Sequence, residues 1–272
     1  MGREGVLEEP APAKLNLALH VRGKLPDGRH AIETVFAFCT DGDRVEVEPC
    51  ETLFLEVRGP FAADLRGDGD NLVVRSAQAL AKAAGIEPGA SLTLIKNLPV
   101  ASGIGGGSAD AAATLRLLTR LWNLSPSFAV DVAPALGSDV PACLLSLAAR
   151  GEGAGDQLRL LDDPEISGTP VLLVNPGAPL PTRDVFAAWD GVDRGSLGDW
   201  RVGRNNLEQP ARSLVPEIGD VLRWLNEQPG ANFTRMSGSG ATCFALFESE
   251  KQRAAAAAAC PAGWWHLATF LR

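Results

Sequence analysis

Apolar and polar residues alternate over 14–22, 34–38 and 44–57, as in AKLNLALHV, RVEVEP and TLFLEV. A period of two is the signature of strands with one buried face. Pro26-Asp27-Gly28 and Asp41-Gly42-Asp43 interrupt these runs and predict turns. Residues 71–84 change to helical spacing and stop before Gly85, which suits a glycine just past a helix end. Residues 91–98 alternate again and end at Pro99. After Gly103-Ile104-Gly105-Gly106-Gly107-Ser108, residues 109–121 are rich in Ala and Leu and predict a helix.

Beyond a short loop at 123–127, a further helical stretch contains Gly137-Ser138-Asp139-Val140-Pro141. The glycine-rich run 150–155 (RGEGAG) predicts a boundary. Residues 171–175 (VLLVN) predict a buried strand, 220–226 part of a helix, 242–247 a strand, and the alanine run 254–259 a helix. No internal repeat is present. Strands and helices come in blocks rather than in strict alternation, which predicts an α+β fold. A chain of 272 residues has room for roughly two domains, divided here as 1–155 and 156–272.

Composition narrows the classes of function. The apolar fraction is 46 %, enough to bury a core. No run of about 18 uncharged apolar residues occurs, so no membrane span is expected. The start MGREGVLEEPAPAK has no apolar stretch suited to a secretory signal, and the cytoplasm is the expected location. Net charge is −8, with a pI near 5.0, which argues against a nucleic-acid partner. Five well-spaced cysteines without a C-x-x-C pair predict neither a structural zinc site nor a disulfide framework. Lysine occurs only at Lys14, Lys24, Lys82, Lys96 and Lys251, so a lysine beside a motif is informative.

The chemistry starts at residues 103–108. Glycines free the backbone for positive φ and close approach to a ligand. A helix that begins directly afterwards points unpaired N–H groups and the positive end of its dipole at whatever sits there. Together these suit phosphate. The loop is not a Walker motif, because Gly107 is followed by Ser108-Ala109 rather than Lys-Ser/Thr. It is not a dinucleotide fingerprint either, because counting G-x-G-x-x-G from Gly103 ends on Ser108.

The stretch from Leu98 to Leu115, LPVASGIGGGSADAAATL, resembles the phosphate loop of the GHMP kinases. Two further blocks are similar to that family's motifs, in the expected order. One is Pro12-Ala-Lys-Leu-Asn-Leu-Ala-Leu-His-Val21 with Asp27-Gly-Arg-His30; the other is Arg235-Met-Ser-Gly-Ser-Gly-Ala-Thr-Cys-Phe244. The first block, with Leu136-Gly-Ser-Asp-Val-Pro141 and Asn205-Asn-Leu-Glu208, resembles the branch acting on a cytidine-diphosphate-linked sugar alcohol in non-mevalonate isoprenoid synthesis. Homoserine- or mevalonate-type acceptors, and a nucleotide-binding regulator without catalysis, are the competing readings.

The resemblance implies a two-domain fold: an N-terminal ribosomal-protein-S5-like domain, a ferredoxin-like C-terminal domain, and an active site in the cleft between them. It implies Asp139 as catalytic base and Lys14 as its partner. It places Asn71, Lys96, Pro99, Gly103, Gly105, Gly106, Gly107 and Ser108 around ATP. Asn16, His30, Phe186 and Gly238 fall on the cytidine substrate, with His30 reading the base and Phe186 stacking on it. ATP and Mg2+ are implied; the metal ligand and the oligomeric state are not. Two positions depart from the family. Arg29 stands where a tyrosine usually stacks on the cytosine, and a guanidinium plane can also stack. Ala109 stands where serine is frequent.

Overall fold

The computed structural model describes residues 6–65 and 71–272. The sequence reading of the N-terminus as lacking a secretory signal rests partly on residues 1–5, outside that range. The described chain forms two compact units interleaved along the sequence. One comprises the described residues of 1–13, 41–100 and 105–146; the other comprises 14–40, 101–104 and 147–272. These units and the sequence-based limits 1–155 and 156–272 are different divisions of the chain. The glycine-rich run 150–155 falls in a hairpin, β5 (Ala149–Glu152) to β6 (Gln157–Leu160), whose strands pair antiparallel.

In the first unit, β3 (Leu53–Arg58) pairs parallel with β4 (Ala90–Ile95), and α1 (Leu72–Ala84) makes the crossover between them. β4 pairs antiparallel with the C-terminal half of β2 (His30–Glu48). Of three more helices, α2 (Gly106–Leu121) and α3 (Pro126–Leu136) pack on α1 and on each other, and α4 (Val140–Leu145) packs against α2 and α3. Leu80, Leu92, Leu94, Leu115, Leu117 and Leu118 are fully buried there, each contributing roughly 1.5–3 kcal/mol of transfer free energy.

Three local expectations change. Asp41-Gly42-Asp43 makes no turn: β2 runs straight through it. Gly42 serves a close crossing, since a Cβ there would lie 2.2 Å from the Ala11 carbonyl oxygen on β1 (Leu7–Lys24). Asp43 is buried because it pairs with the Lys96 ammonium. The run 44–57 is two strands, broken after Glu48 where Pro49 cannot donate to the ladder. The helical stretch around Gly137-Ser138-Asp139 is likewise two helices, α3 ending at Leu136 and α4 starting at Val140.

In the second unit, the N-terminal half of β2 pairs with β5. A separate antiparallel sheet has the order β10 (Trp265–Phe270), β7 (Pro170–Asn175), β9 (Cys243–Phe247), β8 (Ala231–Met236). With α7 (Glu217–Asn226) before β8 and α8 (Glu250–Ala258) before β10, the succession β-α-β-β-α-β and order 4-1-3-2 are ferredoxin-like. α5 (Thr182–Ala187) and α6 (Glu208–Leu214) lie between β7 and α7. Leu172, Val174, Val185, Leu207, Ile218, Val221 and Phe247 join one buried cluster. The α+β expectation is borne out. No helix among the described residues is long and apolar enough to cross a membrane.

Candidate active site

The glycine-rich segment is put to two uses. α2 starts at Gly106, three residues earlier than its apolar spacing predicts, so Gly106, Gly107 and Ser108 are its first turn. Gly105 precedes it at φ +67° with no side-chain cap. The first N–H groups of a helix have no partner within it, and here no side chain of Gly105 occupies them. Upstream, Gly103 at φ +77° packs backbone to backbone: a Cβ there would lie 2.5 Å from the Gly240 carbonyl oxygen and 2.7 Å from that of Ser237.

The segment 237–240 is tied down on several sides. Ser237 Oγ donates to the Gly103 carbonyl at 3.0 Å and accepts from the Asn16 N–H at 3.2 Å. Asn205 Nδ2 donates to the carbonyls of Met236 and Gly238, both at 2.8 Å. Thr242 N–H donates to the Ser102 carbonyl at 3.2 Å. Gly238, at φ +55°, has room for no Cβ, because the Gly103 carbonyl oxygen would stand 2.8 Å away and Asn16 Oδ1 3.3 Å. Asn205, noted in sequence as part of Asn205-Asn-Leu-Glu208, thus acts as a clasp on the glycine turn.

Lys14 and Asn16 lie on the central, buried part of β1. Lys14 is 3 % exposed, so its ammonium does not snorkel to water. Nζ donates to Asn16 Oδ1 at 2.9 Å and lies 5.3 Å from the centre of the Phe36 ring. Asn16 Nδ2 donates in turn to Thr34 Oγ1 at 2.8 Å, and that hydroxyl donates to the Ala18 carbonyl at 2.6 Å. Both ends of the Asn16 amide are therefore fixed, and through it the lysine. Asp139 occupies the N-cap position of α4, yet its side chain makes no capping hydrogen bond.

Asn71 caps α1, accepting from Val73 N–H at 2.9 Å. Pro99 follows β4 on the way into the glycine segment. Lys96 is buried just before it. Its Nζ donates to Asp43 Oδ2 and, at 2.9 Å, to Asp110 Oδ2. Asp43 Oδ1 accepts from the N–H groups of Asn97 (2.5 Å) and Leu98 (2.8 Å). Burial pushes the Asp110 carboxyl up to about 7; the Lys96 ammonium opposes that rise and the Asp43 charge adds to it. Asp110 Oδ1 is buried with no hydrogen-bond partner, as suits a carboxyl that keeps its proton.

A third cluster lies in the second unit. His30 stacks on Phe186, ring centres 4.6 Å apart, and meets Trp189 edge-on at 5.8 Å. Burial first, and then the Lys24 ammonium, push the His30 imidazole below its usual range, so it is neutral at pH 7 and can both donate and accept. These rings, with Lys24, Arg183 and Asp190, line a pocket of about 550 Å³. Arg29 takes no part in stacking. Its guanidinium is held by Asp27 at 2.8 Å and Asp156 at 3.5 Å and is half exposed. Sequence reasoning paired His30 with Phe186 but missed Trp189, whose pattern signal is that of any core aromatic. It also missed Asp43 and Asp110.

Comparisons with known proteins identify the family. The GHMP kinases N terminal domain matches residues 71–146, and the GHMP kinases C terminal domain matches residues 191–264. The fold and the glycine-led helix are thus those of the GHMP kinase class. A 4-diphosphocytidyl-2-C-methyl-D-erythritol kinase from Rhizorhabdus wittichii is 50 % identical over 97 % of this chain and 94 % of its own length. One from Novosphingobium aromaticivorans is 49 % identical over 100 % and 95 %. A crystal structure of 4-(cytidine 5'-diphospho)-2C-methyl-D-erythritol kinase superposes with a TM-score of 0.83 at 34 % identity, covering 97 % of this chain and 99 % of that one. The chain belongs to the 4-diphosphocytidyl-2-C-methyl-D-erythritol kinase family.

Proposed function

We infer that this chain transfers the γ-phosphoryl group of ATP to the 2-hydroxyl of 4-(cytidine 5'-diphospho)-2-C-methyl-D-erythritol. The products are the 2-phosphate and ADP, a step of the non-mevalonate isoprenoid route. The observation that carries this reading is half-identity over nearly the full length to relatives named for that reaction.

Phosphoryl transfer requires an aligned hydroxyl, an acceptor for its proton, and positive charge around the transferred group. Asp139 takes the proton of the 2-hydroxyl. The freed oxygen forms a bond to the γ-phosphorus as the bond to the β,γ-bridging oxygen breaks, and ADP leaves. Lys14, held by Asn16, supplies a fixed ammonium for the oxygens that gain charge. The first N–H groups of α2, at Gly106, Gly107 and Ser108, receive phosphate oxygens, and Asn71, Lys96 and Pro99 lie on the nucleotide side.

His30 and Phe186 take the cytosine, the neutral imidazole offering one donor and one acceptor to the base edge. Asn16 and Gly238 take the sugar-alcohol side. Magnesium, when bound, neutralises β- and γ-phosphate oxygens. Magnesium commonly needs only one or two protein oxygens beside the phosphates and water, and among the described residues no group of three or more His, Cys, Asp or Glu side chains is placed to hold a metal ion.

The test is turnover of purified chain with ATP and the cytidine substrate, followed by phosphorus NMR. Phosphate on the 2-oxygen and stoichiometric ADP are expected. Asp139→Asn is expected to lower kcat by about 10²–10⁴ in a folded protein, the usual worth of a general base. A folded variant with near-normal turnover removes Asp139 from that role.

A further inference from the structure

We propose that Lys96, Asp43 and Asp110 form a buried brace that holds the two ends of segment 97–110 in the shape that accepts a polyphosphate, and that all three are positioning residues for the nucleotide. The inference rests on the kinase reading above but assigns these side chains an indirect task. None of them is exposed enough to meet a ligand at the surface: their side chains are at most 4 % accessible.

The geometry of the brace is specific. One oxygen of Asp43 receives the N–H groups of Asn97 and Leu98, where the chain leaves β4. Its other oxygen receives Lys96 Nζ. The same ammonium donates to Asp110, in the second turn of α2. A single cation thus connects the entry of the segment to the helix that ends it. It also sits directly under the helix start: a Cβ on Gly106 would lie 2.9 Å from Lys96 Nζ and 3.5 Å from Asp43 Oδ2. Glycine at that position lets the backbone rest on the brace.

Stability alone is a weak reason to keep such a cluster. Taking ionisable groups out of water carries a desolvation penalty, and well-packed apolar side chains of equal volume often serve as well. What apolar packing cannot do is fix direction. Charge-assisted hydrogen bonds on two oxygens of one carboxylate set where two consecutive N–H groups point. For a site built of main-chain N–H groups, small misplacements weaken every contact together. An ammonium behind the helix start also offsets the negative charge of Asp43 beneath it.

The test uses the full chain with Lys96→Met, Asp110→Ala and Asp110→Asn. ATP affinity is measured by equilibrium titration, and kcat and both KM values by turnover. Lys96→Met and Asp110→Ala are expected to weaken ATP binding and raise KM for ATP by about tenfold, with KM for the cytidine substrate unchanged. Asp110→Asn keeps an oxygen for Lys96 and is expected to stay within about twofold of wild type. Should Lys96→Met fail to fold, the Ala and Asn variants at 110 decide the matter. Folded Ala and Met variants with wild-type ATP affinity overturn the brace. So does an equal rise in both KM values, or a loss of kcat alone, since those are the marks of general structural damage. A wild type that binds ATP without transferring phosphate sinks the kinase reading and leaves the brace to be judged on affinity. A wild type that does not bind ATP overturns both.

Discussion

Residues 105–108 and 237–240 are both glycine-rich, but their glycines answer different demands. Gly103, Gly238 and Gly240 stand where one stretch of backbone presses on another, and added Cβ atoms would meet carbonyl oxygens or buried side chains. At Gly107 the situation is open on one side. Gly107 has nothing closer to its would-be Cβ than Leu72 Cδ1 at 3.4 Å, an ordinary contact. At Gly107 glycine is not demanded by the protein's own packing, whereas a Cβ on Gly106 would meet the Lys96 ammonium at 2.9 Å. The difference teaches how to separate a ligand-facing glycine from a packing glycine: the first leaves N–H groups and space, the second leaves neither.

That contrast can be broken most severely at Gly103. Gly103→Ala forces a Cβ into the 237–240 backbone at positive φ, and about 3 kcal/mol of stability should be lost. Denaturant unfolding measures it; an unchanged midpoint would show that the two segments can part at no cost. Gly106→Ala should behave the other way. Alanine favours a helix by up to about 1 kcal/mol over glycine, which opposes the cost of displacing Lys96 Nζ from its carboxylates. Stability should stay within about 1 kcal/mol while KM for ATP rises by about tenfold, read by steady-state kinetics. Equal damage to stability at both positions would erase the distinction.

A subtler comparison uses pH. The folded Asp110 carboxyl holds its proton up to about 7, whereas the unfolded chain releases it near 3.8. The native state binds more protons across that window, so this group's contribution to stability falls as pH rises from about 4 through 7. Asn at 110 has no such proton to lose. The unfolding midpoint of wild type should therefore drop relative to Asp110→Asn between pH 5 and pH 8. Parallel curves would mean that Asp110 is ionised throughout. The smallest effect is expected at Arg29. Because Asp27 and Asp156 hold its guanidinium, Arg29→Ala should change KM for the cytidine substrate by less than about twofold. A tenfold rise would return the guanidinium to the base.

Much of this was legible in the order of residues. Residues 103–108 announced a helix start that could receive anions. The alternation 14–22 placed a lysine inside a strand where solvent was not needed, and Lys14 is buried. In the ferredoxin-like half the periods marked β7, β9, α7 and α8, while β8 and β10 went unread. What stayed hidden was whatever depends on long-range partners. Asp41-Gly42-Asp43 has the composition of a turn, yet Gly42 is there for the crossing of β1 and Asp43 for Lys96, 53 residues away. The only local hint was alternation continuing on both sides, through Phe38 to Val45 and Val47. The interleaving of the two units was equally invisible, because contact between distant segments leaves no local period. Trp189 looked like any aromatic until its ring was placed beside His30.

The central claim is that main-chain N–H groups at the start of α2 receive the phosphates of ATP. A crystal structure with a non-hydrolysable ATP analogue tests it most directly. The account predicts phosphate oxygens within hydrogen-bond distance of the N–H groups of Gly106, Gly107 and Ser108, with Lys96 still paired to Asp43 and Asp110 beneath them. Nucleotide bound elsewhere, with that helix start facing only water, would contradict it.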